Sequence, residues 1–388
     1  MELNTKYGEV KIYAKTIEQE AISQIIQMAN SPLGENANIR IMPDCHAGAG
    51  CVIGTTMKIT DKVCPNLVGV DIGCGVDLIQ VDFQFDGRLE ELDEAIRKKI
   101  PFGKSVHEFY QDWDFSDLYC WNKLDEETQD TAYCSLGTLG GGNHFIEAYE
   151  GGWLAVHSGS RNIGYKVAKY YQDLAKRRLA EYSHQQLMEE LKTIEPKERE
   201  QWLAAHRVSI DAELAYLTGQ DMEDYLHDVR ELQAFANHSR YAILHRITQA
   251  MEPNSSIIAH ISSIHNYIDT DKMILRKGAI SAEFGQLLVI PLNMRDGLLL
   301  CRGKGNSEWN YSAPHGAGRL YSRSKAKENF TLDDYQEAMK NVFSTCINES
   351  TLDEAPFAYK NFEEIMECIT PTVEIIDRLI PIYNFKAN

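Results

Sequence analysis

Six short segments of this 388-residue chain concentrate the side chains able to bind metal or phosphate, or to carry a covalent intermediate. In Asp71-Ile-Gly-Cys74 a carboxylate and a thiol stand three residues apart in a glycine-rich turn that can aim both at one cation. A thiolate suits zinc and a carboxylate suits harder ions such as manganese, so the pair implies a borderline site. Gly137 and the run Gly140-Gly-Gly-Asn-His-Phe-Ile-Glu147 deliver Asn143, His144 and Glu147 from a flexible backbone. The G-x-G-x-x-G spacing of a dinucleotide turn is missing, so this reads as a loop whose amides meet phosphate while His144 stays free as a ligand. His157-Ser-Gly-Ser-Arg161 closes an apolar run and feeds a helical segment, an anion-binding arrangement to which Arg161 adds a bidentate donor. His265 and Asn266 follow the apolar run 257–264. Asp44, Cys45 and His46 sit in a glycine-rich stretch at 42–54, and His315-Gly-Ala-Gly-Arg319 looks like a nucleophile in a phosphate-binding turn. Taken singly, each has a plain structural alternative: a turn at 42–54, an inert buried thiol at Cys74, a surface histidine at His144, a satisfied strand-end histidine at His265.

Short β-branched runs at 10–13, 39–42, 52–59 and 76–81, broken by Gly, Pro and Asp, predict strands joined by tight loops. Between 164 and 251 the texture turns helical, with apolar spacing of three and four at 184–192 and 197–207. His184, His206 and His227 belong there, on solvated helix faces. Strand-like runs return at 257–264, 287–291 and 298–301, a helix is predicted over 331–341, and the tail from 370 ends in a strand-like segment. No linker or repeat separates the glycine-rich motifs, which favours one unit over 1–388. The expected class is α+β, a β-rich core of packed mixed sheets with peripheral helices and the 164–251 segment as an embellishment.

With 39 basic against 57 acidic residues the net charge is −18, so the molecule as a whole repels polyanions. A nucleic acid needs a local basic patch, and 295–327 supplies one: seven basic residues against two acidic. The nine cysteines are an odd count without paired spacing and read as thiols in a reducing, cytoplasmic setting. No apolar run approaches a membrane span, and the first residues carry charges where a secretory segment would be apolar.

Taken together and in order, these segments resemble the RtcB family of RNA ligases. The likeness rests on Asp71-x-x-Cys74, Gly142-Asn-His-Phe-x-Glu147, His157-Ser-Gly-Ser-Arg161, Arg276-Lys-Gly-Ala279 and His315-Gly-Ala-Gly-Arg319, and runs from about Arg40 to the C-terminus. It implies a GTP- and Mn²⁺-dependent enzyme that joins 3′-phosphate or 2′,3′-cyclic phosphate RNA ends to 5′-hydroxyl ends, on tRNA or rRNA. It further implies that Cys74 bridges two Mn²⁺ ions, with His157 and His265 on one and Asp71 and His144 on the other. His315 would carry the guanylyl group and Asp44 would orient it. GMP contacts fall on Asn143, Glu147, Asn266, Gly316, Ala317, Gly318 and Lys386, with His144 and His265 beside them and Tyr359 stacking nearby. Arg161, Arg319 and Arg323 would hold RNA phosphates.

Departures from the family pattern mark a divergent branch. Pro291-Leu-Asn-Met-Arg-Asp-Gly297 replaces the usual Pro-Gly-Ser-Met-Gly, so Asn293 stands where a serine would touch the nucleotide. Cys45 replaces an aliphatic residue, and Asn162-Ile163 replaces Gly-Leu. Two other readings remain: a metal-dependent phosphoesterase that needs no GTP, and an RNA-end binding protein without ligase chemistry.

Overall fold

The computed structural model describes residues 1–48, 50–196, 198, 199, 202 and 212–387. The β-branched runs form a five-stranded antiparallel central sheet in the spatial order Ile257–Ile264, Gly75–Val81, Trp153–Ser158, Phe145–Tyr149 and Pro381–Lys386. Its register explains where the chemistry gathers. Gly75 pairs with both Ile264 and Ser158, while Phe145 pairs with His157 and Lys386. Cys74, His144, His157, His265 and Lys386 therefore arrive together at one end of the sheet.

Both faces of that sheet are covered, following the two-residue alternation of strands. One face packs Ile79, Ile146, Leu154 and Val156 against Ile243, Leu244 and Ile247 of the helix Gly219–Met251. The other places Val76, Leu78 and Phe145 against Val289 and Leu298 of a three-stranded sheet, Leu287–Asn293, Gly297–Gly303 and Val373–Leu379. Each such side chain contributes about 1.5–3 kcal/mol relative to exposure.

A six-stranded sheet, ordered Glu2–Thr5, Gly8–Ile12, Arg40–His46, Ile53–Lys58, Ile274–Lys277 and Asn266–Asp269, supplies Asp44, His46 and Asn266. A two-stranded ribbon, Ala279–Ser281 with Ser312–Pro314, ends immediately before His315.

The α+β class is as the sequence indicates, and strands do flank a helical middle of Arg161–Leu191 and Gly219–Met251. That middle is more than an embellishment. Met222, Tyr225, Val229, Leu232, Ala236, Ile243 and Ile247 recur at helical spacing and are all buried, so the second helix is a core layer. Its Arg240 forms a fully buried ion pair with Asp77 at 2.6 Å and also donates to the carbonyls of Gly73 and Ser158. These bonds fix the turn that carries Cys74.

The helix read at 331–341 spans Leu332–Ala338, and the tail holds two strands, Val373–Leu379 and Pro381–Lys386. Helices at Leu89–Lys99 and Glu126–Ser135 fall where the sequence reading offers no element. The segment 197–207, apart from residues 198, 199 and 202, lies outside the described residues, as does His206. His184 is exposed on its helix, whereas His227 stacks on Tyr119 and contacts Asp228. Among the described residues no helix is long and apolar enough to cross a membrane.

Candidate active site

The end of the central sheet opens into a cavity of about 450 Å³. On its floor the Cys74 thiol lies 3.5 Å from His144 Nε2 and 3.3 Å from His157 Nε2, which is 3.3 Å from His265 Nε2. Asp71 Oδ2 reaches His144 Nε2 at 3.2 Å. Two donor groups share the sulfur: Cys74, His157 and His265, and Asp71, Cys74 and His144. Within each group the ligand atoms lie within 4.8 Å of one another.

The imidazoles are oriented from behind. Nδ1 of His144 faces the Leu139 carbonyl at 2.8 Å and Nδ1 of His157 faces that of Asn143 at 3.2 Å, so Nε2 of each is the free ligand atom. Asp71 is fixed by the Ser160 amide at 3.0 Å. A Cβ on Gly159 would lie 2.1 Å from the Asp71 carboxylate, so the approach needs glycine.

The electrostatics suit cations. Burial holds His157 and His265 well below the usual imidazole range, keeping them neutral. Burial and the Asp71 carboxylate push the Cys74 thiol well up. Burial alone would raise the Asp71 carboxyl, but His144, the Arg161 guanidinium and the Cys74 hydrogen bond together outweigh it and hold Asp71 at about 2. Neutral imidazoles, a carboxylate and a thiol that a bound cation would deprotonate form a donor set that fits borderline divalent metals.

His315 stands beside this cluster, its ring centroid 4.9 Å from that of His265. Its Nδ1 meets Asp44 Oδ2 at 2.6 Å. Asp44 is fully buried, and its other oxygen has no protein partner. Gly318, at φ +76°, lets the 316–318 turn lie against the Asp44 backbone, where a Cβ would come within 2.5 Å of the carbonyl oxygen.

The match to the family model for the tRNA-splicing ligase RtcB covers residues 24–119 and 119–387. The chain belongs to the RtcB family. It is similar to the RNA-splicing ligase RtcB of Escherichia coli K12, at 31% identity over 96% of both chains. It is also similar to the tRNA-splicing ligases RtcB of Aeropyrum pernix, at 27% over 84% of this chain and 83% of the relative, and of Methanococcus maripaludis, at 24% over 91% and 88%.

The other residues expected from the RtcB pattern also gather here. Asn143, Glu147, Asn266, Asn293, Gly316, Ala317, Gly318, Tyr359, Lys386, Arg319 and Arg323 all line the cavity. Burial raises the Glu147 carboxyl to about 7, despite donation from Tyr149 and Asn384. Asn266 Oδ1 accepts from the Gly278 amide. Asn293 is engaged locally: its Oδ1 accepts from the amides of Arg295 and Asp296 and its Nδ2 donates to Asp296. Cys45 is buried, its thiol pushed up to about 12 by desolvation.

The three arginines differ. Arg161 is folded inward beneath Gly140, donating to Thr138 and lying 3.4 Å from His144 Nδ1. Arg319 stacks on Tyr359 and donates to Glu354 and the Asp353 and Tyr321 carbonyls. Arg323 is 54% exposed.

Sequence reasoning passed over Asn66 and gave Lys277 and Pro291 no role beyond their motifs; all three line the same cavity, as does His46, which the sequence offered as a possible ligand or acid/base group. It also missed Glu354, which accepts from Tyr359, Lys386 and Arg319 at 2.6, 2.8 and 3.2 Å. The signal available for Glu354 was its place in Asp353-Glu-Ala-Pro-Phe-Ala-Tyr-Lys360, the stretch that supplies Tyr359.

Proposed function

We propose that the protein is an RNA ligase that joins 3′-phosphate or 2′,3′-cyclic phosphate ends to 5′-hydroxyl ends through a guanylylated His315, with GTP and two Mn²⁺ ions. Its substrates are cleaved tRNA or rRNA in the cytoplasm. The observation that carries this reading is the placement of His315, hydrogen-bonded to buried Asp44 and set against a paired donor group for two cations.

With Nδ1 of His315 committed to Asp44, the lone pair sits on Nε2, the atom that would attack the α-phosphorus of GTP and release pyrophosphate. Asp44 stabilises the positive charge that builds on the ring as the N–P bond forms. A cyclic end is first opened by water, which breaks the P–O2′ bond and leaves a 3′-phosphate; this 3′-phosphate takes the guanylyl group from His315, and the 5′-hydroxyl then displaces GMP to close the phosphodiester. Held by Cys74, His157, His265, Asp71 and His144, the two metal ions would supply neutralisation of phosphate charge and in-line orientation. Lys386, Glu147, Asn143, Asn266 and Tyr359 would seat the nucleotide. Arg323 would meet RNA phosphate directly, while Arg161 and Arg319 lend charge from within.

The test is an incubation of two synthetic RNAs, one ending in a 2′,3′-cyclic phosphate and one beginning with a 5′-hydroxyl, with Mn²⁺ and with or without GTP. Joining only when GTP is present is the expected result. Cleavage without joining would assign a phosphoesterase, and binding without either would assign an RNA-end binding protein.

A further inference from the structure

A second groove of about 450 Å³, lined in part by Glu354, adjoins the main cavity, and Arg323 lines both. Its other walls include Ser324, Lys327, Ser350 and Gly142. The stretch 319–327 holds four cations and no acid, in a chain of net charge −18. Asp353 and Glu354 take the inner edges of these cations, Lys327 lying 3.3 Å and Arg323 4.0 Å from Asp353. With side chains 54% and 47% exposed, Arg323 and Lys327 keep their outer edges toward the groove.

Beside the cations stand exposed rings. Tyr321 is 38% and Phe357 37% exposed, each packed against Phe330, at 5.5 and 5.4 Å between centroids. Leu320 is half exposed next to them. Each ring thus packs against Phe330 while more than a third of the residue remains exposed to solvent. Fixed aromatic surfaces alternating with cations are the arrangement that takes unpaired bases and their phosphates together.

We propose that this rim, Tyr321 and Phe357 with Lys327, is a landing site for the single-stranded RNA adjoining the reactive end. Bases stack on the two rings, and the backbone follows the groove past Arg323 into the main cavity. The assignment rests on the RNA-ligase reading above and adds to it the path by which a strand enters. Positive charge facing outward on an acidic molecule sets the occupant as a polyanion, and the rings select one with unstacked bases.

The experiment uses the full chain with Mn²⁺ and a fluorescein-labelled single-stranded hexaribonucleotide ending in a 3′-phosphate, followed by anisotropy without GTP. Tyr321→Ala and Phe357→Ala are each expected to weaken binding by at least about fivefold. Tyr321→Trp should restore affinity, which a merely structural role for the tyrosine would not produce. Lys327→Ala should flatten the dependence of log Kd on log salt by about one. Labelling of His315 by α-phosphate-labelled GTP, run on the same variants without RNA, should match wild type. RNA affinity within twofold of wild type in both ring variants would overturn the proposal, as would equal weakening toward a duplex of the same length. Failure of the wild-type protein to label with GTP would instead count against the ligase reading, since the anisotropy comparison does not require guanylylation.

Discussion

Glu354→Gln is the substitution whose cost the structure predicts most directly. The carboxylate is 3% exposed and accepts from Lys386, Tyr359 and Arg319, side chains delivered by three separate parts of the chain. Burial alone would raise its pKa, but Lys386, Tyr359 and Arg319 outweigh burial and hold it at about 2. The drop from the ordinary 4.5 corresponds to about 3 kcal/mol in favour of the ionised, paired form. Because the folded-state pKa is depressed, this stability is fully present above about pH 4.5 and is lost as pH falls toward 2. Glutamine keeps the volume and an acceptor for Tyr359 but leaves Lys386 and Arg319 without their counter-charge, for which a loss of about 3–5 kcal/mol is typical. Urea unfolding at pH 7 should therefore show a large drop in stability for the variant. The gap from wild type should narrow as pH is lowered from about 5 toward 3. A variant as stable as wild type at pH 7, or a gap that does not change with pH, would refute this reasoning.

Other expectations follow from the same geometry. Cys74→Ser removes the atom common to both donor groups, so Mn²⁺ affinity measured by calorimetry should fall by at least about tenfold, with the circular dichroism spectrum unchanged. Asp77→Ala strands Arg240 in a fully buried position and should cost about 3–5 kcal/mol in chemical denaturation, because the same guanidinium holds the Gly73 and Ser158 carbonyls. The six-stranded sheet joins residues 2–58 to 266–277, and the central sheet joins 75–158 to 257–264 and 381–386. We accordingly propose that 1–388 is one unit, and probes of tryptophan fluorescence and circular dichroism should report a single coincident unfolding transition.

Much of the site was legible because its chemistry is written in local segments. Asp71 and Cys74, or Asn143, His144 and Glu147, are close in sequence and set off by glycines that nothing but a special backbone requires. Strand endings at 74–75, 157–158 and 264–265 followed from the alternation of apolar runs with turn residues, although their common register did not. The less legible parts depend on tertiary closure. Glu354 is one of 57 acids until Arg319, Tyr359 and Lys386 converge on it. Arg240 sits in the helical middle, where the sequence reading singled out only histidines, on solvated faces, and only Asp77, 163 positions away, makes it a buried anchor. Arg319 likewise looks like a free cation in sequence, yet it is engaged by Glu354 and Tyr359. Periodicity reports which face of an element is apolar and says little about a buried ion pair between two elements.

The account turns on His315 as the covalent carrier, and the most direct measurement is of that bond. Purified protein is incubated with Mn²⁺ and α-phosphate-labelled GTP, beside a His315→Ala control, and the product is challenged with acid and with alkali. A label that survives alkali, is released by acid and is missing from the control is the predicted result, as expected of a phosphoramidate. A label that persists in His315→Ala, or no label on wild-type protein that has bound Mn²⁺, would contradict it.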